Sequence, residues 1–167
     1  MTDIPRKLWI SLVVGLIAAV VEMAVVLPIQ AKLGASWERV FQSIAAGAVG
    51  GKTALAGGLP MALLGVFFHT LISVVAAGLY VFASDRLPVL LRRPVTMGLL
   101  YGVACYVVMT FGVIPLSKLH FALPKTPLLF SLSFGTHLVA FGLPIALAAR
   151  WLLNASPAPA PVSSTAH

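Results

Sequence analysis

Four residues whose side chains can bind ions or exchange protons lie inside long apolar stretches of this chain. They are Glu22, His69, Tyr106 and His137. Such side chains are costly in an apolar setting and are kept where they pair with another polar group or serve an ion, proton or solute path. Histidine and glutamate could transfer protons, and two histidines could also ligate haem iron. The four residues are therefore the candidate site of any chemistry in this chain.

The stretches that hold these residues are long enough to cross a lipid bilayer. They cover residues 8–28, 59–83, 95–116 and 128–153, and a spanning helix needs about 20 mostly apolar residues. Hydrophobic residues make up 60% of the 167-residue chain, and charged residues only 9%. A small soluble fold could not bury so much apolar surface. We therefore expect a single membrane domain, an all-α bundle of four transmembrane helices that run alternately up and down.

The positive charge of the chain is explained by lipid rather than by nucleic acid. The formal net charge is +7, but the eleven lysines and arginines are scattered over every polar connection. A nucleic-acid-binding surface would collect them on one face with interleaved aromatic residues. The short connection 84–94 carries Arg86, Arg92 and Arg93, and short basic loops stay on the cytoplasmic side. We therefore expect the lipid bilayer as partner, no nucleic acid, and both termini in the cytoplasm.

A shorter helix is predicted between the first two spans, over residues 36–48. Ser36 is a good N-cap candidate, and apolar residues such as Trp37 and Phe41 then recur at helical spacing. Polar residues such as Glu38 occupy the other side. This amphipathic segment is too short and too polar to span. We expect it to lie on the membrane surface or to form a re-entrant helix.

Prolines and the C-terminal tail set further expectations. Residues 154–167 are rich in Pro, Ala and Ser, a composition typical of a disordered tail. Because proline removes a helical hydrogen bond, Pro28 and Pro115 are expected to mark helix ends. Pro144 is expected to kink the fourth helix close to His137.

The depth and facing of the four polar residues predict that they meet. At 1.5 Å per helical residue, His69, Tyr106 and His137 lie roughly 15 Å below the outer ends of their spans, and Glu22 roughly 9 Å below. Glu22, His69 and Tyr106 each share a helix face with glycine, alanine or serine residues. Small residues mark the faces where membrane helices approach closely. We therefore expect one intramembrane polar cluster inside the bundle.

Three roles fit such a cluster. Interhelical hydrogen bonds that fix the packing are the simplest role. A site for a proton, an ion or a polar solute is the second, and would make the chain a small transporter or proton-conducting protein. Haem ligation by His69 and His137, at equal depth on two helices, is the third. A metal site with Glu22 would lack supporting carboxylates, so we expect no resident metal or cofactor.

Nothing in the sequence is typical of an enzyme. It contains no Gly-x-Ser-x-Gly elbow, no His-Glu-x-x-His motif and no paired carboxylates. We therefore expect a non-enzymatic structural or accessory component of the membrane, either a homo-oligomer or part of a larger complex. The Gly-x-x-x-Gly pairs Gly98/Gly102 and Gly47/Gly51 could serve self-association or pack inside the bundle.

Three short motifs resemble those of uncharacterised bacterial four-helix inner-membrane proteins. They are residues 56–60 (AGGLP), residues 98–102 (GLLYG) with Tyr106 and Met109, and residues 115–117 (PLS). The resemblance extends over roughly residues 8–152. It implies a bacterial inner-membrane location and a four-helix architecture, and it implies no activity and no functional residues.

Overall fold

The computed structural model describes residues 4–119 and 126–154, and every element in these ranges is a helix. In chain order the helices are α1 (Ile4–Lys32), α2 (Trp37–Val49), α3 (Gly51–Ala56), α4 (Gly58–Ala83), α5 (Val89–Arg92), α6 (Pro94–Leu116) and α7 (Pro127–Asn154). Four of them, α1, α4, α6 and α7, are long and apolar enough to cross a membrane. The prediction of an all-helical chain with four such helices is confirmed.

The predicted boundaries are close for three of the long helices. The bounds of α4, α6 and α7 differ from the predicted spans by no more than one residue. The prediction that Pro28 ends the first helix is wrong, because α1 continues to Lys32. Beyond it, the Leu33 amide still donates to the Ile29 carbonyl at 3.2 Å. One proline removes a single bond, and the turns on either side keep the helix intact. Asn154 ends α7, and the rest of the predicted tail lies outside the described residues.

Pro115, near the end of α6, and Pro144, inside α7, each follow a π-helical turn. These turns cover Met109–Val113 and His137–Gly142. The amide of Leu143, just before Pro144, donates to the carbonyl five residues back, that of Leu138. A π turn admits one extra residue per turn, which accommodates the missing proline amide and the clash of its ring. α7 therefore absorbs Pro144 in a π turn that begins at His137.

The long helices alternate in direction. At one end of the bundle the Lys7 ammonium lies 2.6 Å from the Asp85 carboxylate, next to the end of α4. There the Arg6 guanidinium also donates to the carbonyls of Leu152 and Leu153, near the end of α7. The first turn of α1 thus lies beside the last turns of α4 and α7, as an up-down bundle requires.

Glycines mark the closest helix crossings. A Cβ atom on Gly15 of α1 would overlap the Val74 backbone of α4, and one on Gly65 of α4 would overlap the Phe41 carbonyl of α2. One on Gly102 of α6 would overlap the His137 carbonyl of α7. Backbones can approach this closely only where no side chain intervenes. These crossings join α1 to α4, α4 to α2 and α6 to α7.

The two Gly-x-x-x-Gly pairs are used differently. Gly98 and Gly102 both face α7, where Gly142 packs against them. This pair is therefore occupied within one chain. A Cβ atom added to Gly51 would have no heavy atom within 4 Å. A Cβ atom added to Gly47 would lie 3.6 Å from Ser117 Cβ, an ordinary contact distance.

The apolar core of the bundle is concentrated in one half. The half that contains the Lys7–Asp85 ion pair, here the closed half, has a continuous core from α1, α4 and α7: Ile10, Val14, Ala18, Ala77, Tyr80, Val81, Phe141, Ile145, Ala146 and Ala149. Between its helices, the Tyr101 hydroxyl of α6 donates to the Ala76 carbonyl of α4 at 2.7 Å. A cavity also lies between the helices. On α1, α6 and α7 its lining lies mainly from midspan toward the opposite end, here the open half, whereas on α4 it extends from His69 to Ala83, alongside the closed half.

Candidate functional site

Three helices bring Glu22, His69 and His137 together at the border of the open half. The Glu22 side chain of α1 is only 9% exposed. Its Oε2 atom lies 3.9 Å from Nε2 of His69 on α4, and its Oε1 atom lies 3.9 Å from Nδ1 of His137 on α7. Both separations exceed hydrogen-bond length. The carboxylate is thus flanked by two imidazoles without being hydrogen-bonded to either.

Small residues and a π turn position these side chains. Glu22 follows Gly15, Ala18 and Ala19 on the buried face of α1, which lets α4 and α7 come close on both sides. His137 is the first residue of the π turn in α7. Its carbonyl abuts Gly102 of α6, where no side chain could be accommodated. The glycine contact therefore fixes the backbone that carries the His137 imidazole.

The hydrogen bonds of both histidines fix where their protons lie. Nε2 of His69 is 3.3 Å from the Ala19 carbonyl on α1, and Nδ1 of His137 is 2.9 Å from the Ser133 carbonyl on its own helix. Because a carbonyl oxygen only accepts, each of these nitrogens is the N–H donor. In the neutral tautomers, Nδ1 of His69 and Nε2 of His137 can then accept a hydrogen bond.

Tyr106 joins the group only through His137. Its ring packs edge-on against the rings of Phe130, Phe134 and His137, at centroid distances of 5.8, 5.3 and 5.4 Å. Within the described part of the chain, its buried hydroxyl has no hydrogen-bond partner. Tyr106 therefore supports the His137 imidazole through ring packing, and it is not among the described residues that line the cavity.

The group of Glu22, His69 and His137 faces a cavity of about 1080 Å³. Its walls come from all four long helices and from α2. Most of the lining side chains are apolar; the polar ones, besides these three, are Gln30, Ser43, Ser73, Tyr101, Ser133 and Thr136. None of the described lining residues is lysine or arginine, and Glu22 is the only carboxylate among them. The cavity wall is thus apolar with a single acidic position.

Several polar residues of the cavity are not singled out by the sequence pattern. Ser73, Tyr101 and Thr136 donate their hydroxyl protons to the carbonyls of His69, Ala76 and Ser133. Tyr101 precedes Cys105 and Val108 by four and seven residues, and all three line the cavity. This shared helix face is the signal in the sequence that could have identified Tyr101. The glycines on either side of Tyr101 obscure it, because they indicate helix packing instead.

The imidazole nitrogens that face Glu22 are not available to ligate haem iron or another metal ion. Axial ligation would require both histidine nitrogens to point at one iron atom about 2 Å from each, with the porphyrin between them. Here the Glu22 carboxylate lies beside both rings, and the nitrogens nearest to it already face backbone carbonyls. Among residues 4–119 and 126–154, no three His, Cys, Asp or Glu side chains are placed to hold a metal ion.

Comparisons with known proteins give no further guidance to this site. No protein-family model matches the chain, and neither a curated protein nor a solved structure is significantly similar to it. The geometry around Glu22 is therefore what connects this chain to a function.

Proposed function

We propose that this chain is a non-enzymatic multi-pass protein of a bacterial inner membrane that conducts protons or a small solute, with Glu22 as the binding group. The observation that carries the proposal is the position of the Glu22 carboxylate. It is nine-tenths buried between imidazoles from two other helices, on the wall of a cavity of about 1080 Å³. Ionisable groups at such depth mark ion and solute paths in membrane proteins.

The hydrogen bonds support conduction over a purely structural role. A cluster that serves packing would tie helices together through its own side chains. Of Glu22, His69 and His137, His69 alone makes a hydrogen bond to another helix, at the Ala19 carbonyl, whereas His137 bonds to Ser133 of its own helix. Glu22 lies 3.9 Å from the nearest nitrogen of each ring. The carboxylate is thus left available to a proton or a ligand in the cavity.

The basic residues support an orientation in which the first and the last described residues of the chain both lie on the cytoplasmic side. Arg6, Lys7 and Arg150 belong to the same end as the connection that carries Arg92 and Arg93. Lysines and arginines near span ends remain on the cytoplasmic side. In this orientation the open half of the bundle lies on the outer side of the membrane.

The packing of α2 supports a re-entrant segment on that outer side. The Phe41 carbonyl of α2 packs against Gly65, seven residues or roughly 10 Å along α4 from its start. The Phe41 ring also lies 6.4 Å from the His69 ring. Val40, Ser43 and Ile44 line the cavity. α2 therefore covers the outer end of the cavity, and its buried face, with Phe41, Ala45 and Ala46, packs against protein. Such protein contact favours a re-entrant segment.

Current measurements on reconstituted protein test the proposal. Proteoliposomes with wild-type protein should give a current after a pH or solute concentration jump on a solid-supported membrane. Glu22→Gln should reduce this current by about tenfold or more, because the binding charge is removed. Glu38→Gln is the matched control, since Glu38 lies on α2 and does not line the cavity; it should leave the current unchanged.

A different result would return the chain to an accessory role. Equal currents from wild-type and Glu22→Gln protein would refute conduction through Glu22. The wild-type protein could also give no current with protons or with any solute class offered, and co-purify with other membrane proteins. That result would point to a structural or accessory component instead.

A further inference from the structure

From the chemistry of the cavity wall we infer that the solute is a lipophilic organic ammonium ion, bound with its N–H groups at the Glu22 carboxylate. This inference rests on the proposed function and names the ligand class of the same site. Three properties of the cavity support it: its charge, the direction of its hydrogen bonds and the place where it opens.

The charge of the wall selects a cation. Glu22 is the only carboxylate among the described lining residues, and none of them is lysine or arginine. A buried carboxylate is costly unless it takes up a proton or a cation compensates it, and the two imidazoles 3.9 Å from Glu22 carry no charge in their neutral forms. Lys7, on the same helix as Glu22, is held by Asp85 at 2.6 Å at the far end of the closed half. With both imidazoles neutral, a cationic ligand supplies the charge that compensates an ionised Glu22.

The hydrogen bonds of the wall select a donor. Apart from the Gln30 amide and the Ser133 hydroxyl, the polar groups around Glu22 already donate their protons to backbone carbonyls: those of His69, Ser73, Tyr101, Thr136 and His137. What these side chains can offer a ligand is lone pairs, on hydroxyl oxygens and on the second imidazole nitrogens. An ammonium ion has only donors and matches such a surface. A carboxylate or phosphate ligand would face these lone pairs and the Glu22 carboxylate, with Gln30 and Ser133 as the remaining donors among the described polar lining residues.

The size and the opening of the cavity select an apolar body around that ammonium group. A volume of about 1080 Å³ is at the upper end of cavities that hold drug-sized molecules, far larger than a metal ion or a hydrated proton needs. Val75 and Leu79 of α4 and Val108 of α6 line the cavity and are yet 55%, 65% and 59% exposed. The cavity thus opens sideways between α4 and α6, through apolar residues, where the bilayer core would be in the proposed orientation.

Binding of a matched probe series to the full-length protein tests this inference. The protein is placed in phosphatidylcholine nanodiscs, and empty nanodiscs give the partitioning background. The probes are monodansylcadaverine, which carries a primary ammonium group, its N-acetyl derivative, which is neutral, and dansyl-aminocaproate, which is an anion. All three share the same fluorescent apolar body, so that differences in affinity report the charged group.

The ammonium probe should bind about tenfold more tightly than the neutral probe, because a hydrogen bond to a charged partner contributes a free energy of that size. The anionic probe should bind most weakly. Glu22→Gln should abolish the preference for the ammonium probe, and Glu38→Gln should leave it intact. Glu22→Asp keeps the charge on a shorter side chain and should retain part of the preference. It also guards against a Gln variant that simply fails to fold.

The outcomes separate this inference from the proposed function. Equal affinity for the ammonium and neutral probes would overturn the ammonium class, and a Glu22-dependent current in the same protein would leave conduction standing. A Glu22-dependent preference for the ammonium probe in a protein whose currents ignore Glu22 would support the ligand class and refute conduction. A preference that survives Glu22→Gln would overturn the assignment of the carboxylate as the ammonium-binding group.

Discussion

The two halves of the bundle are built from the same four helices and differ in what fills them. In the closed half, alanine, valine and isoleucine side chains from α1, α4 and α7 pack around the fully buried Tyr80. In the open half, α1, α6 and α7 line a cavity of about 1080 Å³ that continues along α4 from His69 to Ala83, beside the closed half, with Glu22, His69 and His137 on its wall. The difference separates stability from binding. The closed half holds the helices together, and the open half keeps its polar groups accessible.

The strongest test of this division removes a large side chain from each half. Tyr80 is 1% exposed, packs edge-on against Tyr101 at 5.0 Å and donates its hydroxyl proton to the Leu90 carbonyl at 2.9 Å. Tyr80→Ala should lower the free energy of unfolding by about 3 kcal/mol, because packing contacts and a hydrogen bond are lost together. Thermal unfolding in a fixed detergent measures the change.

The counterpart in the open half is Met109→Ala, since Met109 lines the cavity. With space already on one side of this side chain, its removal should cost less than about 1 kcal/mol. Comparable losses for Tyr80→Ala and Met109→Ala would show that the two halves contribute equally to stability.

The crossing of α6 and α7 gives a second, smaller effect. An alanine Cβ at Gly102 would overlap the His137 carbonyl, so Gly102→Ala should cost about 1–3 kcal/mol through forced backbone movement. It should also reduce the Glu22-dependent current, because His137 would shift. Gly112→Ala on the same helix is the control: no heavy atom lies within 4 Å of its Cβ position, so stability should stay equal or rise. A destabilised Gly112→Ala protein would contradict the assignment of the effect to the α7 contact.

Hydrophobicity and the spacing of small residues made much of the bundle predictable. The bounds of α4, α6 and α7 were predicted within one residue because each is limited by Gly, Pro or polar residues. The proximity of Glu22 and His69 could be predicted from depth and facing, and that of His137 from depth alone, since a helix keeps both quantities nearly fixed. Ser36 was predicted as an N-cap, and its hydroxyl does accept the Arg39 amide at 3.3 Å.

Features that depend on how helices meet were not predictable in this way. Pro28 gives the same local signal whether a helix ends or continues, and only the surroundings of α1 decide between them. The π turn at His137 involves the Gly102 contact and Pro144 together, on two different helices. The cavity depends on how the helices are placed relative to one another, which no periodicity within one helix reports. The surroundings of the Tyr106 hydroxyl likewise depend on the rings of α7.

The ion pair at the end of the closed half should contribute little to that half's stability. Lys7 and Asp85 lie 2.6 Å apart, but the Asp85 side chain is 50% exposed, so water and salt screen the pair. A double-mutant cycle of Lys7→Ala and Asp85→Ala should give a coupling free energy below about 1 kcal/mol. A coupling well above this value would make the ion pair, rather than the apolar core, the main tie of the closed half.

The smallest expected change in stability, and the sharpest separation of the two halves, comes from replacing the ionisable group itself. Glu22→Leu nearly keeps the volume of the side chain and removes a buried carboxylate that lies 3.9 Å from each histidine, beyond hydrogen-bond distance. Stability should stay equal or rise by about 1 kcal/mol, while the current is lost. The control is Ala18→Leu, one turn earlier on the same face of α1 and fully buried in the closed half. There the larger side chain has no space, and about 1–3 kcal/mol should be lost through overpacking. If instead Glu22→Leu unfolds at lower temperature than Ala18→Leu, the carboxylate is part of the packing, and the open half stabilises the bundle as the closed half does.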